Sequence, residues 1–127
     1  MMGTENLKGK KILIVEDDLS SRIYLNKILE KTGAVILNAT DGQEAIDITA
    51  KTADLAVILM DIQLPVLNGR AAARKIRDFR KDIIIIAQTA YGLPGDTEEV
   101  EDSEFDDYIV KPIYANQLIE KLVSLFS

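Results

Sequence analysis

The sequence contains no cysteine and no histidine. Without cysteine there is neither a disulfide nor a thiolate metal site. Without histidine the chain lacks the commonest general base, the commonest zinc ligand and any Ser-His or Cys-His nucleophile pair. Positive charge is also short. Lys and Arg number 15 against 21 Asp and Glu, for a net charge of −6 and a pI near 4.6. That balance argues against nonspecific binding of nucleic acid, which needs a basic surface. Apolar runs reach only strand length, far short of a membrane span. Met1-Met2-Gly3-Thr4-Glu5-Asn6 lacks the basic and apolar regions of a signal peptide. A cytoplasmic domain with no membrane insertion is the expectation.

What remains is ample core material. The chain has 127 residues, 47% of them hydrophobic, enough for one globular domain. Five β-rich runs alternate with five helical ones. The strands are expected at Lys11–Val15, Val35–Asn38, Leu55–Met60, Ile83–Gln88 and Asp107–Val110. Three of them are apolar throughout rather than alternating, the pattern of strands covered on both faces. Helices are expected at Leu19–Lys31, with Gly33 as a stop, and from the N-cap Asp41 to about Lys51. Asp41-Gly42-Gln43-Glu44 resembles a capping box. Asn68 caps a helix Gly69–Phe79 with Ala72, Ala73, Ile76 and Phe79 facing inward. A short acidic segment, Asp96–Glu104, and a final helix, Ala115–Phe126, complete the chain, and residues 1–7 are read as a loose tail before a domain at 8–127.

Regular βα alternation with short connections predicts right-handed crossovers and a doubly wound α/β fold. Its five parallel strands take the order 2-1-3-4-5, the flavodoxin-like arrangement, with helices on both faces. In such sheets ligands bind beyond the carboxyl ends of the strands, at the switch point between strands one and three. The residues there are Glu16, Asp17 and Asp18 after strand one, Asp61 after strand three, Thr89 after strand four and Lys111 after strand five. Carboxylates without histidine make a hard oxygen site suited to Mg²⁺ rather than zinc. Thr89 and Lys111 would then face an anion bridging to that metal, and phosphate fits.

The motifs "KILIVEDD", "LMDIQLPVLNG", "QTA" and "DDYIVKPI", in this order on a βα scaffold, resemble the receiver domain of two-component response regulators from about Lys8 onward. The resemblance implies that Asp61 is the phosphoacceptor. Glu16 and Asp17 match the acidic pair that binds Mg²⁺, and the backbone carbonyl of Gln63 completes the protein ligands. Thr89 and Lys111 match the phosphoryl contacts, and Tyr108 the aromatic switch residue. It also implies cis geometry at Lys111-Pro112. Gln63 and Tyr91, two residues after the acceptor and the threonine, set phosphoryl lifetime, and a bulky Tyr91 predicts slow autodephosphorylation. The partner is a histidine kinase or a histidine phosphotransfer domain, and the chain is not a turnover enzyme. The opening "LKGKKILIVEDD" and "MDIQLPVLNG" resemble receivers attached to hybrid histidine kinases; a stand-alone regulator is the alternative.

Two rivals rank lower. A phosphatase of the haloacid dehalogenase type places a second Asp two residues after its nucleophile, where this chain has Gln63. A flavin-binding module needs a Ser, Thr and Gly loop after strand one, where Glu16-Asp17-Asp18 would repel phosphate. Asp18 is expected to cap the following helix rather than hold metal. The third helix carries Arg70, Arg74, Lys75, Arg77, Arg80 and Lys81 on a face read as solvated. Opposed to the acidic fourth segment, it makes a weak or phosphorylation-dependent dimer conceivable. Tyr91-Gly92-Leu93-Pro94-Gly95 disfavours helix before Asp96, and Glu104 stands where such domains often carry glycine, so it must take a left-handed conformation or end the helix differently.

Overall fold

The computed structural model describes residues 7–64, 66–89 and 104–126. Its strands are β1 (Lys11–Val15), β2 (Val35–Ala39), β3 (Leu55–Asp61), β4 (Ile84–Thr89) and β5 (Asp107–Val110). Among the described residues the helices are α1 (Leu19–Glu30), α2 (Gly42–Lys51), α3 (Gly69–Phe79) and α4 (Ala115–Leu125). The strands pair in parallel in the order β2-β1-β3-β4-β5, as expected. Element ends depart from expectation by a single residue at most. The segment expected to be helical before Glu104 and the loop 91–95 lie outside the described residues.

Strand side chains alternate between two apolar layers. Leu13, Val15, Ile58, Met60, Ile85 and Ala87 join Ala45 of α2 and Ala72, Ala73 and Ile76 of α3. Ile12, Ile14, Val57, Leu59, Ile86 and Ile109 join Leu25, Ile28 and Leu29 of α1 and Leu118 and Leu122 of α4. With apolar partners on both faces, central strands have no polar side to show, which explains their unbroken hydrophobicity.

Each of the first three helices begins on an acidic or amide cap. Asp18 accepts from the amide of Ser21, Asp41 from Glu44 and Asn68 from Ala71. The capping box is displaced by one position, since Glu44 Oε1 accepts from the amide of Thr40 rather than of Asp41 (2.6 Å). Gly33, at φ 81°, turns the chain after α1. The Lys111-Pro112 bond is cis. Among the described residues no helix is long and apolar enough to cross a membrane.

Three expectations are corrected. Leu7, placed in the tail, is fully buried, and its amide donates to the Thr32 carbonyl at 3.1 Å. Phe79 is 45% exposed rather than inward. The buried arc of α3 runs Gly69, Ala72, Ala73 and Ile76 and continues into Arg77 and Arg80, at helical spacing. Those two arginines are therefore not a solvated face. Arg77 donates to the carbonyls of Ile83 and Glu104 and pairs with Asp106. Arg80 donates to the carbonyls of Thr52 and Leu55 at 3.2 and 3.0 Å. Of the two outcomes expected at Glu104, the left-handed one is not taken; among the described residues Val66 is the non-glycine residue with positive φ, at 67°. The last turn of α3 is thus a polar clamp on the ends of β3, β4 and β5. Arg77→Met should lower stability by about 2 kcal/mol, because carbonyls and Asp106 lose a charged donor. Arg74→Met, which loses only a solvent-facing pair with Glu104, should cost less than about 1 kcal/mol. Urea denaturation of both variants checks the contrast.

Candidate functional site

The parallel register sets the carboxyl ends of β1, β3, β4 and β5 side by side. Val15 is level with Met60, Asp61 with Gln88, and Thr89 with Val110. The next residues of each strand therefore open into one cleft of about 540 Å³, lined by Glu16, Asp17, Asp61, Gln63, Thr89 and Lys111 among others. Every cleft residue singled out from the sequence is there, apart from Tyr91, which lies outside the described residues. Tyr108 is elsewhere. It is half-buried, packs on the α2–α3 side of the sheet and borders a separate groove with Asp107 and Lys121.

Asp61 is the last residue of β3 and is buried. Its Oδ1 accepts from the amide of Gln63 at 3.1 Å, and its Oδ2 lies 3.2 Å from Lys111 Nζ. The chain leaves Asp61 by a close turn that only glycine permits. A Cβ at Gly69 would lie 2.2 Å from the Asp61 carbonyl oxygen, and one at Gly42 would lie 2.2 Å from that of Leu67. Two helix starts thus press against the loop that follows Asp61, and a side chain at either would displace it.

Glu16 is buried as well. Its Oε2 accepts from the amide of Asp18 and its Oε1 from Lys111 Nζ, both at 3.1 Å. Burial pushes its carboxyl above the usual range; the Asp18 amide opposes this, the Asp61 charge adds to it and the Lys111 ammonium opposes it. For Lys111, burial alone would lower the ammonium, but the charges of Asp61 and Glu16 more than offset it and the value is raised. Asp17 is exposed. Asp18 caps α1 at the cleft rim, and the Ser21 hydrogen bonds hold its carboxyl low.

Glu16, Asp17 and Asp61 each place a carboxylate oxygen within 4.8 Å of the others. Three oxygen donors with no nitrogen or sulfur fit a hard divalent cation. Beside them Thr89 Oγ1 is buried with no hydrogen-bond partner among the described residues, so it is available to an oxyanion.

Gln88 and Arg22 were not singled out from the sequence. Gln88 Nε2 donates to the Leu59 carbonyl at 3.1 Å beneath the cleft; an amide ending an otherwise apolar strand was its signal. Arg22 Nη1 reaches the carbonyls of Glu16 and Asp17; its signal was a cation one turn into the helix that follows an acidic loop.

Comparison with known proteins agrees with this geometry. The model of the response regulator receiver domain matches residues 12–123, and the chain belongs to that family. It is a receiver domain of two-component signalling. It is 36% identical over 119 residues to hybrid signal transduction histidine kinase I of Dictyostelium discoideum, covering 87% of this chain and 7% of that one. The chain thus spans a small part of that kinase's length. It superposes with TM-score 0.84 and 35% identity on a Saccharomyces cerevisiae complex of the phosphotransfer protein Ypd1 with the receiver domain of Ssk1, covering 91% of this chain and 87% of the matched one. A receiver domain of a Pseudomonas aeruginosa sensor histidine kinase, with magnesium coordinated in its active-site cleft, matches with TM-score 0.81 and 32% identity over 92% of this chain and 96% of that one.

The Glu16 environment has a measurable consequence. A carboxyl raised above 4.5 makes the folded chain bind its proton more tightly than the unfolded one. The associated stability is full below pH 4.5 and is lost as pH rises through the folded value. In metal-free protein the Glu16 carboxyl carbon should titrate above 4.5 by ¹³C NMR. Lys111→Met should move it higher still, since that ammonium is among the influences holding it down. A Glu16 titration at or below the ordinary value would contradict the assigned environment.

Proposed function

We propose that Asp61 accepts a phosphoryl group from a phosphohistidine. The observation that carries this reading is the Asp61 carboxylate itself, held at a strand end by Gln63 and Lys111 within reach of two further carboxylates. An Asp61 oxygen forms the new P–O bond as the P–N bond to imidazole breaks. The imidazole leaves with the bonding electron pair and takes up a proton, and the product is an acyl phosphate. Lys111 neutralises charge on the transferred oxygens. Water later attacks the phosphorus, returning the carboxylate and inorganic phosphate. The chain promotes both steps on itself and does not turn over an external substrate.

Mg²⁺ fits the oxygen donors of Glu16, Asp17 and Asp61, with the Gln63 carbonyl completing the set. When bound it would supply charge neutralisation and orientation for the phosphoryl oxygens. Thr89 Oγ1, buried with no partner among the described residues, donates a hydrogen bond to the phosphoryl group. Tyr108 responds by turning inward, remodelling the face to which β5 and α4 contribute. Gln63 and Tyr91 set the lifetime of the acyl phosphate.

The donor is a histidine kinase or a histidine phosphotransfer domain. The complex of Ypd1 with a receiver supports that class of partner. So does an apolar groove of about 270 Å³ walled by Tyr24, Leu25 and Tyr114, which shares Glu16, Ser21, Gln88 and Lys111 with the acidic cleft. The setting is cytoplasmic, in a hybrid histidine kinase or as a single-domain regulator, and any dimer is weak or phosphorylation-dependent.

Incubation with Mg²⁺ and acetyl phosphate, followed by intact mass, tests the reading. The wild type should gain one phosphoryl group and Asp61→Asn none. Equal labelling of both would remove Asp61 from the role.

A further inference from the structure

Arg22 lies one turn into α1, beside the loop that carries two of the three clustered carboxylates. Its Nη1 donates to the main-chain carbonyl of Glu16 at 3.0 Å and, more weakly, to that of Asp17 at 3.4 Å. Glu16 is otherwise held by its amide, on the Ala39 carbonyl at 3.0 Å, and by its carboxylate. By charge alone a guanidinium is badly placed there, because a fixed cation repels any cation entering the cluster. By hydrogen bonding it is well placed, because one nitrogen spans two consecutive carbonyls and fixes the turn between them.

We propose that Arg22 is a positioning residue for the cation site: it fixes the β1–α1 loop so that the Glu16 and Asp17 carboxylates face Asp61. This rests on the reading that the cluster holds Mg²⁺. Its helix is itself anchored from both sides. Asn26, one turn on, bonds Asn38 of β2 through both amides at 2.8 and 3.2 Å, and Tyr24 Oη donates to the Ile113 carbonyl at 2.6 Å. Arg22 thus transmits a fixed helix position to the acidic loop.

The two contributions of Arg22 predict opposite signs, which makes the test decisive. Mg²⁺ affinity is measured by amide NMR titration of wild type, Arg22→Met and Arg22→Lys, with urea midpoints taken in EDTA. If Arg22 acted by charge, Arg22→Met would bind Mg²⁺ more tightly. Positioning predicts that Arg22→Met binds about 10-fold more weakly or worse, the usual result of losing an outer-shell partner. Arg22→Lys keeps the charge, but its Nζ ends one bond short of the Nη1 position that spans both carbonyls, so it should also bind more weakly. In the metal-free variants the amide shifts of Glu16 and Asp17 should move while those of β4 stay. Unchanged or tighter Mg²⁺ binding in Arg22→Met, or a lowered urea midpoint with affinity intact, overturns the proposal. If Arg22→Met fails to fold, Arg22→Lys decides: weaker binding supports positioning, and unchanged or tighter binding overturns it. Absence of Mg²⁺ binding by the wild type would instead overturn the metal reading, and this inference with it.

Discussion

The Lys111 ammonium bridges Glu16 and Asp61, 3.1 Å from one carboxylate and 3.2 Å from the other. Both acids are buried, and Asp17 brings a third carboxylate into the same cluster. Two unit charges 4 Å apart interact by about 4 kcal/mol at an effective dielectric near 20, so this grouping needs a cation to persist. Lys111 supplies one from β5, and its raised protonation keeps it charged. A phosphoryl group on Asp61 would carry about two negative charges in place of the carboxylate's one, and the ammonium and a bound cation are the natural counterweights. The site is an ionic balance arranged to receive more negative charge.

Everything else in the fold serves to bring those charges together. Apolar strands faced on both sides by helices make a rigid mount whose parallel register aligns four carboxyl ends. Gly69 and Gly42 allow helix starts to approach the loop after Asp61 more closely than any side chain would permit. Asp18, Asp41 and Asn68 begin helices at the same end of the sheet. At the opposite end Arg77 and Arg80 bind carbonyls where α3 finishes.

Much of this was legible in the sequence, for physical reasons. Unbroken apolar runs at Ile12–Val15 and Leu55–Met60 report burial on both faces, and βα alternation then restricts the topology. Asp61, Glu16, Thr89 and Lys111 were legible because each follows a strand, so topology alone gathers them. Arg77 and Arg80 were misread because composition assigns arginine to solvent, whereas helical spacing continues the buried arc into them. Leu7 was misread because a single apolar residue in a polar stretch has no periodicity to reveal it. Gln88 and Arg22 act through backbone carbonyls, and no residue pattern records which carbonyls lack a donor.

The claim at the centre is that the Asp61 carboxylate, and no other group of the cluster, forms the acyl phosphate. Borohydride reduction of phosphodonor-treated protein converts an acyl-phosphorylated aspartate to homoserine, which peptide mass mapping locates. Homoserine should appear at position 61 in protein treated with Mg²⁺ and phosphodonor, and at no position in untreated protein. Reduction at Asp17 or Glu16 instead, or an unreduced Asp61 in protein that carries the phosphoryl mass, would contradict the claim.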